Sequence, residues 1–327
     1  MMPLDRHAQR LVQTLALTGR RGSDMPARRD GFAALLRLTA TDADTSGVRV
    51  AAHAVPSGPR LRLYVPDAAR AAGPGLVFLH GGGFVCGDLD THDALCRALA
   101  ATSGCRVLAV DYRRAPEHVF PAALEDAIAA LGWALAEAPA LGIDPARIGI
   151  VGESAGATLA VAATRELVRA GPGRIALQVL LCPILDWAGA VRRVDEADFL
   201  VDRATIAQDL ACYLPAGQDP ADPRVSPLRA GNFGGLPPAL IHTAACDPLS
   251  RDGAAYAAGL RAAGVPVRHT DHAGMVHLFH AFGRAIPGAR AALTGIGAQI
   301  AATFVDGLCE PGNIAGQHRT LAAQCAH

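Results

Sequence analysis

Ile148-Gly149-Ile150-Val151-Gly152-Glu153-Ser154-Ala155-Gly156-Ala157-Thr158-Leu159-Ala160 is the stretch that decides how this sequence folds. A short apolar run, Ile148–Val151, enters a Gly-x-Ser-x-Gly turn and leaves it into an Ala-rich stretch of helical composition, Ala155–Ala170. The order is strand, sharp turn, helix. A serine at the apex of such a turn needs a strained backbone to hold its hydroxyl clear of a sheet. Glycines two residues to either side let neighbouring backbone pass close by. The helix behind the serine offers backbone N–H groups and a positive dipole end to a developing negative charge. A Gly-x-Ser-x-Gly string alone arises by chance in a Gly- and Ala-rich chain, so its surroundings must carry the reading.

Outward from that turn, short apolar runs recur at Leu76–Leu79, Val107–Val110, Ala176–Leu181, Ala239–Thr243 and Val265–His269. Between them lie Asp93–Ala101, Ala122–Ala136 and Gly253–Ala263, all helix-compatible. Runs that are continuously apolar rather than alternating predict strands buried on both faces, hence a mostly parallel sheet between helices. Before the alternation starts, Val48 to Val65 reads as a strand pair broken by Pro56, Gly58 and Pro59. Residues 1–45 read as helical, with Leu11, Leu15, Leu35, Leu36 and Leu38 apolar and a break at 22–24. A second interruption, about 186–215, contains a helix-like piece, Asp195–Tyr213. These two segments are expected to form a helical lid over the strand ends. The catalytic unit is then 46–305, and 306–327 a loosely held tail.

Directly after the run Leu76–Leu79 comes His80-Gly81-Gly82-Gly83-Phe84. A lone Gly-Gly-Gly is a plain turn, but one that begins with His, follows a strand and precedes a serine elbow fits an oxyanion-binding loop. His80 is expected to orient that loop rather than to carry a proton. Acyl-transfer chemistry then needs an acid and a base; where the serine sits on a strand-to-helix elbow of this kind, they follow it in the order Asp or Glu, then His, on loops after late strands. Asp247 follows the run Ala239–Thr243, and His277 lies beyond the last strand. Ser154, Asp247 and His277 therefore make the expected triad. The rivals are Asp252 and Asp271 as acids, and His269, His272 and His280 as bases. Asp252 sits where a capping carboxylate is common, His269 and Asp271 fall in or at the end of the last strand, and His280 is expected one turn into the final helix.

With these motifs in place, the chain resembles the bacterial hormone-sensitive-lipase family of carboxylesterases, within the α/β-hydrolase superfamily, over roughly Val48 to Ala302. Besides the two glycine motifs, the resemblance rests on Asp111-Tyr112-Arg113-Arg114-Ala115-Pro116-Glu117-His118, on Asp222-Pro223 with Ser226-Pro227-Leu228, on Asp247-Pro248-Leu249, and on Gly274-Met275-Val276-His277. It implies an α/β-hydrolase fold and hydrolysis of short- to medium-chain esters without metal or organic cofactor. It also implies that Gly82, Gly83 and Ala155 supply the oxyanion N–H groups. Three positions depart from the pattern: Arg114 replaces a Leu, Arg251 stands where a second acid is usual, and Leu278 replaces the Gly that follows the catalytic His. Phe32, Phe84, Trp187 and Leu278 are candidate substrate contacts, and Leu36, Phe199 and Leu200 further lid residues, though each also suits ordinary lid core. Glu153, beside the serine, is expected to support the site from behind. Amide hydrolysis, acyl transfer to another acceptor and a non-catalytic receptor are the alternatives.

Composition narrows the partners. Hydrophobic residues make up 51% and charged residues 18%, which suits a large core. Thirty basic residues, all Arg, balance thirty acidic ones, so neither nucleic acid nor an anionic membrane surface is the expected partner. A small-molecule ester is, with a homodimer admitted as the assembly. The absence of Lys excludes Schiff-base chemistry. Eight cysteines without a Cys-x-x-Cys pair fit reduced thiols in a cytoplasmic protein rather than a metal ribbon. The apolar stretch Leu11–Leu17 is short and polar for a secretory signal, and no apolar run reaches the roughly 20 residues of a membrane span.

Overall fold

The computed structural model describes residues 3–17, 24–40, 45–171, 175–194 and 200–308; Phe199 and the tail beyond 308 lie outside them. Helices α1 (Arg6–Leu17) and α2 (Met25–Thr39) come first. Asp24 caps α2, its carboxylate accepting the Ala27 amide at 2.9 Å, with a proline in the first turn. The antiparallel pair β1 (Val48–Ala54) and β2 (Arg60–Pro66) follows.

The alternation then runs β3 (Gly73–Leu79), α3 (Asp93–Ser103), β4 (Arg106–Asp111), α4 (Ala122–Ala136), β5 (Ile143–Glu153), α5 (Ala155–Ala170) and β6 (Leu177–Leu181). Two short helices, α6 (Trp187–Arg193) and α7 (Arg203–Tyr213), interrupt it. The chain then resumes with β7 (Ala239–Ala244), α8 (Ser250–Ala262), β8 (Val267–His272) and α9 (Pro287–Asp306). The sheet order is β1-β2-β4-β3-β5-β6-β7-β8, parallel from β4 onward.

Alternate side chains of one strand feed opposite cores, as the pleat requires. Leu76 and Phe78 of β3 join Leu95 and Leu99 of α3 and Leu293, Ile296 and Ile300 of α9. Val77 and Leu79 join Leu124 and Leu131 of α4, Leu159 of α5, and Tyr256 and Leu260 of α8. Each fully buried Leu or Phe contributes about 1.5–3 kcal/mol. This two-sided burial is why β3 and β4 read as unbroken apolar runs.

Strand register places the site. Leu79 aligns with Gly152, and Glu153 with Leu181. The carboxyl ends of β3, β5 and β6 thus stop at one level, where open α/β sheets bind ligands. The N-terminal helices reach this end. Arg29 of α2 donates to the carbonyls of Val85 and Ala115 and pairs with Glu117 at 2.7 Å. Arg28 pairs with Asp209 of α7.

Two sequence expectations change. His280 is not in the final helix: Phe279–Ala281 is a separate 3-10 turn, and α9 starts only at Ile286-Pro287, where proline suits a first helical position. Asp252 lies inside α8 and does not cap it; its carboxylate accepts the amides of Leu185 and Asp186 and pairs with Arg193 at 2.6 Å.

Candidate active site

Ser154 sits at φ +51°, ψ −116°, between the end of β5 and the first residue of α5. That conformation is costly for a residue with a Cβ, and the flanking glycines are what allow it. A Cβ on Gly156 would collide with the carbonyl oxygen of Leu79, and one on Gly152 with the backbone of Ala157. The Ser154 amide is fixed by the Leu181 carbonyl at 2.9 Å.

His277 and Asp247 arrive from far along the chain. Asp247 lies in the turn after β7, and His277 in the loop after β8. The two turns are stitched together where the Cys246 amide donates to the Met275 carbonyl at 2.9 Å. His277 Nδ1 is 2.7 Å from Asp247 Oδ2, and His277 Nε2 is 2.9 Å from Ser154 Oγ. The other carboxylate oxygen of Asp247 accepts the Leu249 amide at 2.9 Å. An ionised carboxylate only accepts, so the proton between Asp247 and His277 belongs on Nδ1. The Nε2 lone pair then faces the serine hydroxyl. All three side chains are buried, with Ser154 the most exposed at 8%.

The Gly-rich loop lies beside this relay. Gly82 and Gly83 take φ of +114° and +65°, values that suit glycine. Among the described residues, the amides of Gly82, Gly83 and Ala155 donate to no acceptor in the chain. Ala155 opens α5, whose first N–H groups have no partner within the helix, and amides left free in this way can donate to an acceptor from outside.

Behind the relay, Glu153 is fully buried and touches three elements. Its carboxylate accepts the Gly81 amide at 3.0 Å, lies 2.6 Å from His280 Nε2, and is 2.7 Å from His92 Nε2, the last contact off hydrogen-bond alignment. Burial opposes its charge, yet His92 and His280 hold its pKa well below the usual carboxylate range. His80 stacks on Tyr112 with ring centroids 4.1 Å apart, and Tyr112 Oη donates to the His80 carbonyl at 2.7 Å. Burial pushes the His80 imidazole down to about 3, which keeps it neutral at ordinary pH.

The remaining candidates have these places. Phe84 is fully buried, stacked on Tyr213 at 3.8 Å and tilted against Trp187 at 4.9 Å. Trp187 Nε1 donates to Thr158 Oγ1 at 2.9 Å. Phe32 of α2 is half-buried and meets the His92 ring at 6.0 Å. Leu278 is buried with φ +60°, a left-handed conformation that explains why glycine suits this position.

Sequence reasoning did not anticipate His92 and His280 at Glu153, Asp209 against the Gly83 backbone, or Cys182 near the acid and base. Only Cys182 carried a signal, since it directly follows a strand in an α/β pattern.

Comparison with known proteins agrees with this architecture. The profile of a family described as "alpha/beta hydrolase fold" matches residues 76–281. "Carboxylic ester hydrolase LipN" of Mycobacterium tuberculosis is 44% identical over 63% of this chain, which spans 57% of LipN's length. "Ethyl acetate hydrolase" of Pseudomonas putida is 41% identical, over 69% of this chain and 73% of its own. A hyperthermophilic esterase from the archaeon Pyrobaculum calidifontis superposes with a TM-score of 0.85 at 33% identity, covering 93% of this chain and 100% of that one. No helix among the described residues is long and apolar enough to cross a membrane. With a matched core running from the strand before His80 to the turn beyond His277, the chain belongs to the α/β-hydrolase-fold family, on its bacterial hormone-sensitive-lipase-like carboxylesterase branch.

Proposed function

We propose that the chain is a serine carboxylesterase that hydrolyses short- to medium-chain esters through an acyl-enzyme formed on Ser154. His277 Nε2 takes the hydroxyl proton as Ser154 Oγ attacks the ester carbonyl, and Asp247 holds the imidazole in the tautomer this requires. The carbonyl oxygen becomes an oxyanion and accepts the amides of Gly82, Gly83 and Ala155. One such donor is typically worth about 3 kcal/mol of barrier. As the tetrahedral adduct collapses, His277 returns the proton to the leaving alkoxide. Water then repeats the sequence on the acyl-enzyme: His277 takes its proton, the acid leaves, and Ser154 recovers its hydrogen.

The observation that carries this reading is the unbroken relay from Asp247 Oδ2 to Ser154 Oγ, with contacts of 2.7 and 2.9 Å. Phe32, Phe84, Trp187 and Leu278 are proposed to shape the pocket, Phe84 and Trp187 as its packed wall. The matched ethyl acetate hydrolase supports a short acyl group. A cytoplasmic setting is proposed because none of the six described cysteines is in a disulfide. Ser154→Ala is expected to abolish turnover of p-nitrophenyl esters and labelling by a fluorophosphonate. Retention of wild-type turnover in that variant overturns the proposal, and a rate profile rising toward long acyl chains overturns the chain-length part.

A further inference from the structure

The sulfur of Cys182 stands beside the Asp247–His277 pair, and no step of ester hydrolysis uses it. Cys182 directly follows β6, is 1% exposed and takes φ +44°. Its sulfur, a carboxylate oxygen of Asp247 and a ring nitrogen of His277 all lie within 4.8 Å of one another. The geometry points to a binding site for a soft or borderline divalent cation, of the Zn2+ or Cd2+ kind, formed by Cys182, Asp247 and His277, whose occupation switches the esterase off. The switching-off rests on His277 being the base proposed above; the binding does not.

Thiolate, imidazole and carboxylate are the donor set zinc prefers, and the sulfur biases the site against Mg2+ and Ca2+, which take oxygen. Zinc at its usual bond lengths spaces tetrahedral ligand atoms about 3.3–3.6 Å apart. The 2.7 Å Asp247–His277 contact must therefore open by somewhat over half an ångström, while the sulfur is drawn in. Charge also closes. One dication against one thiolate and one carboxylate leaves a buried site with no net charge, the condition under which burial of ions is tolerable.

One ligand already has a supporting bond: the Leu249 amide donates to the second oxygen of Asp247. Such outer contacts orient metal ligands and tune them.

The proton balance explains the inhibition. Burial keeps the metal-free Cys182 a neutral thiol. Its S–H bond breaks as the metal–sulfur bond forms, and that proton goes to water. The metal takes the place of the Nδ1 proton, and the neutral ring then carries its one proton on Nε2. An N–H facing Ser154 cannot accept the serine proton, so attack on the ester stops.

Zn2+, Cd2+ and Mg2+ are to be titrated against hydrolysis of p-nitrophenyl acetate, with Cd2+ binding followed separately through its thiolate-to-metal ultraviolet absorption. Zn2+ and Cd2+ are expected to inhibit reversibly by chelator, Mg2+ not to inhibit, and a stoichiometric thiolate band to appear with Cd2+. In Cys182→Ser, compared with its own metal-free rate, the inhibition constant is expected to rise at least about tenfold and the band to vanish. Cys212→Ser, which alters a cysteine of α7, is expected to keep both. Should Cys182→Ser not fold, Asp247→Asn must weaken formation of the band in folded protein by at least about tenfold. The inference is overturned if wild type gives neither band nor inhibition, or if both survive loss of Cys182. Fluorophosphonate labelling of metal-free Ser154 reports on the esterase reading independently.

Discussion

Replacing Glu153 by Gln tests whether one buried carboxylate holds the glycine loop in place. That carboxylate meets the Gly81 amide, His280 and His92 at 3.0, 2.6 and 2.7 Å. A hydrogen bond to a charged group is worth about 1.5–3 kcal/mol net, and a neutral one about 0.5–1.5. Only the His280 contact is aligned as a hydrogen bond, so neutralising it costs about 1 kcal/mol, which in a chain of this size lowers Tm by roughly 1–2 °C. The kinetic effect is separate. Gly81 directly precedes the two loop glycines, and a misplacement of about 1 Å near reacting atoms can cost a hundredfold. We expect kcat for p-nitrophenyl acetate to fall between about tenfold and a hundredfold, with KM nearly unchanged, because the oxyanion develops only after binding. Affinity for a trifluoromethyl ketone, which forms a tetrahedral adduct on the serine, should fall in parallel. The stability difference has its own pH signature. A carboxylate whose folded pKa is depressed stabilises fully above its unfolded value, and that contribution is lost as pH falls through the folded one. The Tm gap between wild type and variant should thus persist at neutral pH and close in acid, below the ordinary glutamate range. A lowered Tm with undiminished kcat would refute the reasoning and leave Glu153 as a fold residue.

Asp247→Asn should keep the fold and lower kcat by about 10⁴, because the amide no longer enforces the Nδ1–H tautomer; steady-state rates on one ester check it, and a loss below tenfold contradicts the relay. Gly156→Ala is expected to yield no folded protein on expression, since its Cβ meets the fixed carbonyl of Leu79 rather than a movable side chain; a soluble, cooperatively melting variant contradicts this. Burial lifts the Asp209 carboxyl to about 7, outweighing its pairing with Arg28. The native state therefore holds a proton that the unfolded chain has lost, and stability should decline as pH rises from the ordinary aspartate range toward about 7. Asp209→Asn removes that part of the decline in urea titrations, and an unchanged slope means Asp209 is ionised throughout.

What was legible in the sequence was whatever physics writes at short range. Helix α4 begins and ends where its Ala/Leu composition does, and the parallel strands show as unbroken apolar runs because both faces are packed. The serine elbow was legible because strand, turn and helix are contiguous, so the strain at Ser154 and the glycines that permit it fall within five residues. Asp247 and His277 could be placed by chain order and by their position after late strands, but not by distance; Ser154 and His277 are separated by 123 positions.

The parts that stayed hidden share one cause: they are tertiary bonds between polar residues that no local period announces. By sequence His280 falls one turn into the final helix. Leu278 in a left-handed conformation and the late start at Pro287 put it on a tight turn instead, where it reaches Glu153 across 127 positions. Asp252 looked like a cap, yet its carboxylate takes the Leu185 and Asp186 amides, fixing the chain where it leaves β6 for the lid. Arg28 and Arg29 stand in no motif, yet one pairs with Asp209 of α7 and the other binds two carbonyls and Glu117. The His280, Asp252 and Arg28 contacts are long-range polar contacts of the kind a core tolerates only when partnered, and they meet the strand before the serine, the entry to the lid and α7. A single sequence shows which residues do the chemistry more readily than which ones hold them still, because reactive groups come in short motifs while their supports are chosen by the fold.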